Sequence, residues 1–266
     1  MRNSIRLAYN ITGVNLLPEA KKLAIYSQLI PQPLLDCFKL QSPYIDYQGN
    51  HLLLLHCPAG SADVEIKLYH RFGAEDPVLY GHISDTINGQ VHVLLYIMSD
   101  PESPRFDIDR MPNGTETQFG TSQRNLEAEF AAMQFGLAPG QIRRGLRMLG
   151  AAIQAFEKFV QNLGASMFFA DPLYYHNAIL FERYGFAYEK GRRLMEHIQH
   201  EFDTGGTLLT KLDSSTPFRQ PEAAHSIRLR SWALHDGLLG EPYTNVTMYK
   251  MIGRSFDLDT SSGCAW

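Results

Sequence analysis

Between residues 138 and 186 the chain alternates helix-like and strand-like patterns in an order that few folds accommodate. Pro139 and Gly140 open a basic run, Gln141-Ile142-Arg143-Arg144-Gly145. Ile142, Leu146, Leu149, Ile153, Phe156, Val160 and Leu163 then recur in alternating steps of four and three. That spacing lines one helical face and predicts a helix over 141–163, with Gly164 as its stop. Residues 166–170 form a strand-sized apolar run closed by Asp171-Pro172. Residues 177–184 read as a short helix stopped by Gly185, and 186–188 begin another strand. Helix, strand, helix and strand in succession place the chain in the α/β class.

Upstream, residues 52–56, 64–70, 78–84 and 90–98 read as four strands of an antiparallel meander. Asn88-Gly89 between two β-rich runs is a strong hairpin signal, because both residues tolerate positive φ. Val91, Val93, Leu95 and Ile97 alternate, so one face of the last strand meets a core. Residues 18–40 read as helices broken by Pro31 and Pro33. Residues 99–121 carry enough Pro, Asn, Asp and Gly to predict a long loop. Residues 124–136 read as a helix on propensity. Beyond Lys190 the pattern loosens: 194–202 is helical, and Pro217, Pro221, Pro242 and several glycines predict an irregular tail. The expected division is an N-terminal helical extension (1–50), a core (51–190) and a C-terminal extension packed on that core (191–266).

A chain of 266 residues with 44% apolar content can bury a core without disulfide or metal staples. A formal net charge of −4 and scattered basic pairs argue against a nucleic-acid partner. The first residues show no apolar leader, and no apolar run is long enough for a membrane helix. Cys37, Cys57 and Cys264 are widely spaced, as reduced thiols of a cytoplasmic protein would be.

The segment Leu180-Phe181-Glu182-Arg183-Tyr184-Gly185-Phe186, following the glycine-containing turn and the long helix, resembles the GCN5-related N-acetyltransferase (GNAT) family over roughly residues 78–190. The resemblance implies a mixed, mostly antiparallel sheet flanked by helices. It also implies transfer of an acyl group from acetyl-CoA, or another acyl-CoA, to an amine of a small molecule or peptide. The pyrophosphate of coenzyme A would meet a helix N-terminus, at Gln141, Ile142, Arg143, Arg144, Gly145 and Leu146. Asn177 and Phe181 would line the pantetheine channel. Glu127 or Glu129 would supply a general base, and Tyr184 and Tyr174 are nearby phenols for an acid, out of register with the family's tyrosine. Three positions depart from the family pattern. Ile142 stands where Gln or Arg belongs, Arg147 where a small residue belongs, and Phe181 where a tyrosine often sits. The family also has a strand where 124–135 reads as a helix.

Two other readings stay open. The departures at Ile142, Arg147 and Phe181 suit a noncatalytic module that binds a ligand or partner. His197 and His200, three apart on a helix, could join His176 in a metal-dependent enzyme. His235-Asp236 lacks the serine elbow of a hydrolase, and Asp107 and Asp109 read as turn formers. The Trp- and Tyr-containing tail is compatible with a homodimer.

Overall fold

A computed structural model describes residues 9–117 and 123–266. Residues 1–8, where no leader is read, and 118–121, the end of the expected loop, lie outside the described residues. The helices are α1 (Ile11–Asn15), α2 (Glu19–Tyr26), α3 (Gln32–Phe38), α4 (Leu126–Gln134), α5 (Leu149–Asn162), α6 (Tyr175–Arg183), α7 (Arg192–Phe202), α8 (Thr207–Thr210) and α9 (Ile227–His235). The strands are β1 (Leu53–His56), β2 (Asp63–Leu68), β3 (Leu79–Asp85), β4 (Val91–Met98), β5 (Met167–Ala170), β6 (Ala187–Lys190) and β7 (Thr247–Met251). They form a seven-stranded sheet in the order β1-β2-β3-β4-β5-β7-β6. The α/β class and the mixed sheet stand as the sequence predicts.

The chain divides into two units that interleave in sequence. One comprises residues 1–101, 145–171 and 249–254; the other comprises 102–144, 172–248 and 255–266.

The first unit holds the meander. β1, β2, β3 and β4 pair antiparallel in sequence order. Val64, Ile66 and Leu68 alternate inward from β2 and meet the sheet's buried face with Leu79 and Ile83 of β3. An irregularity at His82/Ile83 shifts the β3–β4 register. The Asp85 carboxylate, at the end of β3, accepts the backbone N–H groups of Ile11 and Thr12, both at 2.8 Å. A carboxylate at the start of α1 satisfies two orphan donors and suits the helix dipole.

α5 is shorter than its apolar spacing predicts. Its buried face is Ala152, Ile153, Phe156, Phe159 and Val160; each large side chain withdrawn from water contributes roughly 1.5–3 kcal/mol. Ile142 and Leu146 fit the same spacing but lie outside the helix. Arg147, with φ 58°, adopts a left-handed conformation that no helix continues. The helix therefore starts at Leu149, and the expectation of a start at 141 is corrected. Its other end follows the sequence: the Ala165 N–H donates to the Val160 carbonyl (3.1 Å) across Gly164.

The second unit contains α4, α6, β6, α7, α8 and α9. Residues 191–266, expected to be irregular after 202, instead include α9 with a fully buried Trp232 and most of the helical content of this unit. Trp232 joins Ile108, Ala132, Met133, Leu137 and Phe218 in one core cluster, and Ile142 packs against it.

The Leu-Phe-Glu-Arg-Tyr-Gly-Phe segment closes α6. The Phe186 N–H donates to the Phe181 carbonyl (3.1 Å), and the two rings stack at 4.9 Å. This is the bond-plus-apolar-contact pattern of a helix C-terminal cap. Gly185 has φ 74°, and a Cβ there would lie 2.1 Å from Ser255 Oγ, so only glycine fits. Buried Glu182 accepts the Thr260 N–H (2.9 Å), the Thr260 hydroxyl (2.6 Å) and the Tyr188 hydroxyl.

Candidate functional site

In the first unit the candidate site lies along β4 and at the start of α5. β4 and β5 run parallel but keep register only at His92–Phe169 and Val93–Ala170. The Asp171 N–H extends the contact to the Val93 carbonyl at 3.2 Å. β4 then continues to Met98 with no β5 partner. At its far end the chain entering α5 returns to it: Gly145 pairs with Ser99, and the Leu146 N–H donates to the Met98 carbonyl at 3.3 Å.

No side chain caps α5. Its first internal bond runs from the Ala152 N–H to the Met148 carbonyl at 3.0 Å. The N–H groups of Leu149, Gly150 and Ala151 therefore have no partner within the helix. Arg147 immediately precedes them, is exposed, and has no hydrogen-bond or ion-pair partner among the described residues. A cation beside the positive end of a helix dipole is unfavourable alone and becomes favourable when an anion sits between them.

The six residues expected to cradle the pyrophosphate, 141–146, all precede the first residue of α5 in the chain and make contacts of their own. The Gln141 side-chain carbonyl accepts the Ala138 N–H (2.8 Å) and closes the Pro139-Gly140 turn. The Ile142 carbonyl accepts the Phe106 N–H at 2.8 Å. Arg143 donates to the Ser103 carbonyl (2.6 Å), and the Arg144 N–H donates to Ser103 Oγ (3.0 Å). The Arg144 guanidinium lies over the Phe135 ring. Gly145 and Leu146 bond to the end of β4, as above.

The second unit brings together a cluster that the sequence shows only in pieces. Glu129 of α4 is buried and is gripped by Arg124 through Nε (3.0 Å to Oε2) and a terminal nitrogen. His235, at the end of α9, places Nε2 3.2 Å from Glu129 Oε1. Arg124 also reaches Asp236 Oδ1 (3.3 Å), and Asp236 Oδ2 accepts from Arg219 (2.9 Å) and Thr216 (2.8 Å). Burial pushes the Glu129 carboxyl up, but its bonds to His235 and Arg124 outweigh that, and the net direction is down. Two guanidinium groups meet two carboxylates in this cluster, and the His235 ring closes it at Glu129.

Around His235 the walls are aromatic. Tyr174 and Trp232 meet it edge-on at 5.5 and 5.9 Å. Tyr174 stacks on His176 at 5.8 Å, and Trp266 lies edge-on to His176 at 6.2 Å. The Tyr174 ring presses on the Pro139-Gly140 turn: a Cβ at Gly140 would lie 2.4 Å from Tyr174 Cε2. His176 is buried, with Nδ1 2.9 Å from Ser231 Oγ, and burial pushes its imidazole down to about 3.

Glu127 is exposed in the first turn of α4, and Asn177 is half-buried in the first turn of α6. Tyr184 caps the end of α6 and is 40% exposed. Phe181 stacks on Phe186. The structure does not gather the proposed metal ligands: His197 and His200 are exposed on α7 while His176 is buried beside Ser231. Among the described residues no group of three His, Cys, Asp or Glu side chains could hold a metal ion. Asp107 and Asp109 both pair with Arg105. Ser231, the reach of Arg124 to Asp236 and the pairing of Glu129 with His235 escape sequence reading, because the partners lie far apart in the chain.

The second unit also has a polar cavity of about 540 Å³ between the end of α6 and the C-terminal segment, lined by Ile179, Glu182, Arg183, Asp257, Asp259 and Cys264 among others. Among the described residues no helix is long and apolar enough to cross a membrane. Comparison of the chain with protein-family models, curated proteins and solved structures finds no match.

Proposed function

We propose that the chain binds an acyl-coenzyme A and transfers its acyl group to an amine of a small molecule or peptide. The observation that carries this reading is the parting of β4 from β5. A parallel pair that separates after two registered positions leaves strand edge unpaired, and the family that the sequence resembles uses such a parting to admit its cofactor. The helix between the two strands supports it, since its first N–H groups lack partners and Arg147 adds charge. On this reading the pyrophosphate meets residues 147–151 rather than 141–146.

A second reading, a noncatalytic ligand-binding module of the same fold, is favoured by Phe181. That ring stands at the family's tyrosine position, cannot donate a proton, and is committed to stacking on Phe186. Thermal unfolding with coenzyme A and with pantetheine tests binding. A ligand at a hundredfold its dissociation constant stabilises by about 2.7 kcal/mol, worth several degrees here. Coenzyme A should raise the midpoint and pantetheine, which lacks the pyrophosphate, should not; no shift with either would refute the acyl-coenzyme A reading. Thioester cleavage of acetyl-CoA with added amines separates the enzyme from the module.

A further inference from the structure

We infer that the cavity between the end of α6 and the C-terminal segment is a binding site for a dibasic α-amino acid, whose carboxylate meets Arg183 and whose two cationic groups meet Asp257 and Asp259. The site is independent of the acyl-transfer reading, because every residue that lines the cavity belongs to the second unit. Three charges carry the inference, one positive and two negative, which line this cavity without forming an ion pair among the described residues.

The walls are held in place by the backbone and by Glu182. The Phe256 N–H donates to the Gly185 carbonyl at 3.3 Å near the start of the C-terminal segment. Near its end, the Ala265 N–H donates to the His225 carbonyl at 3.0 Å, and the Ala265 carbonyl accepts the Ile227 N–H at 2.8 Å. Between these points Thr260 gives its N–H to Glu182 Oε2 (2.9 Å) and its hydroxyl to Oε1 (2.6 Å), and the Tyr188 hydroxyl also donates to Oε1. Both Glu182 oxygens are thus engaged, so this buried carboxylate builds the wall and leaves ligand contact to its neighbours. A wall tied down in this way is ordered before a ligand arrives, which lowers the cost of binding. The cavity volume of about 540 Å³ falls in the range of small-molecule sites.

Arg183, in the last turn of α6, has no hydrogen-bond or ion-pair partner among the described residues, and neither has Asp257. Asp259 Oδ1 accepts the Ser261 N–H (3.0 Å) and hydroxyl (3.3 Å), which orients the carboxylate and leaves Oδ2 without a bond. Opposite charges that share a cavity without touching complement a ligand that carries both signs. Their count sets the class: one guanidinium and two carboxylates match one carboxylate and two cations. A guanidinium takes a carboxylate through two parallel N–H bonds. A phosphate would be repelled by two carboxylates, and a simple diamine would leave Arg183 unmatched. A metal ion lacks ligands, since no group of three His, Cys, Asp or Glu among the described residues could hold one. Ile179 and Leu258 add apolar lining for the methylenes of a dibasic side chain.

The probes are L-arginine, agmatine, which lacks the carboxylate, and L-citrulline, which lacks the side-chain charge. Each is titrated calorimetrically into the full-length wild type, Arg183→Gln, Asp257→Asn and Asp259→Asn. All three positions are exposed, and surface substitutions of this kind change stability little. Cys264, in the cavity lining, gives a local readout, with exposed Cys37 of the first unit as reference. Alkylation by N-ethylmaleimide is followed at both by peptide mass spectrometry. L-Arginine should bind wild type, with agmatine and L-citrulline about tenfold weaker, and each variant should weaken L-arginine about tenfold. Saturating L-arginine should slow alkylation of Cys264 and leave Cys37 unchanged. No binding of L-arginine at millimolar concentration overturns the site. Agmatine or L-citrulline equal to L-arginine overturns the dibasic amino-acid class, and undiminished affinity in R183Q, D257N or D259N overturns the assigned pairing. An unprotected Cys264 in protein saturated with L-arginine places the ligand elsewhere and also overturns the site. None of these outcomes bears on coenzyme A, whose binding is read separately from the unfolding midpoint.

Discussion

His176 makes stability depend on pH in a way that can be calculated. Burial lowers its imidazole from 6.5 to about 3 in the folded protein. The folded value lies below the unfolded one, so the unfolded chain binds a proton that the folded chain refuses. Stability is therefore intact above about 6.5 and falls as the pH drops from there toward 3. Between pH 7 and pH 5 the loss is about 2 kcal/mol, less than the limiting slope of roughly 1.4 kcal/mol per pH unit would give, because the unfolded imidazole takes up its proton only around 6.5. That figure barely depends on the folded value, provided it stays well below 5. The test is urea unfolding at pH 7, 6 and 5 for wild type and His176→Asn, whose amide can keep the bond to Ser231. Trp232 and Trp266 are the chain's two tryptophans and belong to the same unit as His176, so their fluorescence reports the relevant transition. Wild type should lose about 2 kcal/mol more than H176N over this range. Parallel profiles would show that His176 is protonated in the folded state and that its burial is misread.

Gly140→Ala adds a methyl 2.4 Å from the Tyr174 ring at φ 80°; destabilisation of about 1–3 kcal/mol is expected, read by denaturant midpoint, and relief in the double variant with Tyr174→Leu would confirm the clash. Asp236→Ala leaves Arg124 and Arg219 without a shared carboxylate; a loss of about 2–4 kcal/mol is expected, and a loss near zero would mean water replaces the carboxylate. Arg147→Gly removes a left-handed non-glycine residue and should raise stability by about 1 kcal/mol while weakening coenzyme A binding. A stability gain without weaker binding would detach Arg147 from the anion.

The meander is legible because its signals are local. Alternation in β2 and β4 and the Asn88-Gly89 turn mark strands within a residue or two of their observed ends. The end of α6 is equally legible, since Gly185 and the Phe181–Phe186 pair encode the cap. α5 misleads because Ile142 and Leu146 continue its spacing while serving other contacts. Ile142 packs toward Phe106 and Trp232, Leu146 bonds to Met98, and a left-handed arginine marks the break without any sequence signal. α9 is hidden because Arg228 and Arg230 interrupt its apolar pattern, yet the Arg230 guanidinium is buried, bonding the Ala224 carbonyl and lying over Phe202. The Glu129–His235 pair joins residues 106 apart in the chain, and no local pattern encodes such a meeting. The meander could be read because neighbours specify it; the polar cluster could not, because its members depend on tertiary packing.

On the proposed reading, the start of α5 receives the pyrophosphate of coenzyme A. Isothermal titration with desulfo-coenzyme A against wild type and Gly150→Asp tests it most directly. The aspartate places a fixed negative charge in the first turn of α5 and suits the helix dipole, so the fold should persist while the anion is repelled. Micromolar binding to wild type and a loss of at least tenfold in G150D are expected. Equal affinity for both proteins, or no heat from wild type at millimolar ligand, would contradict it.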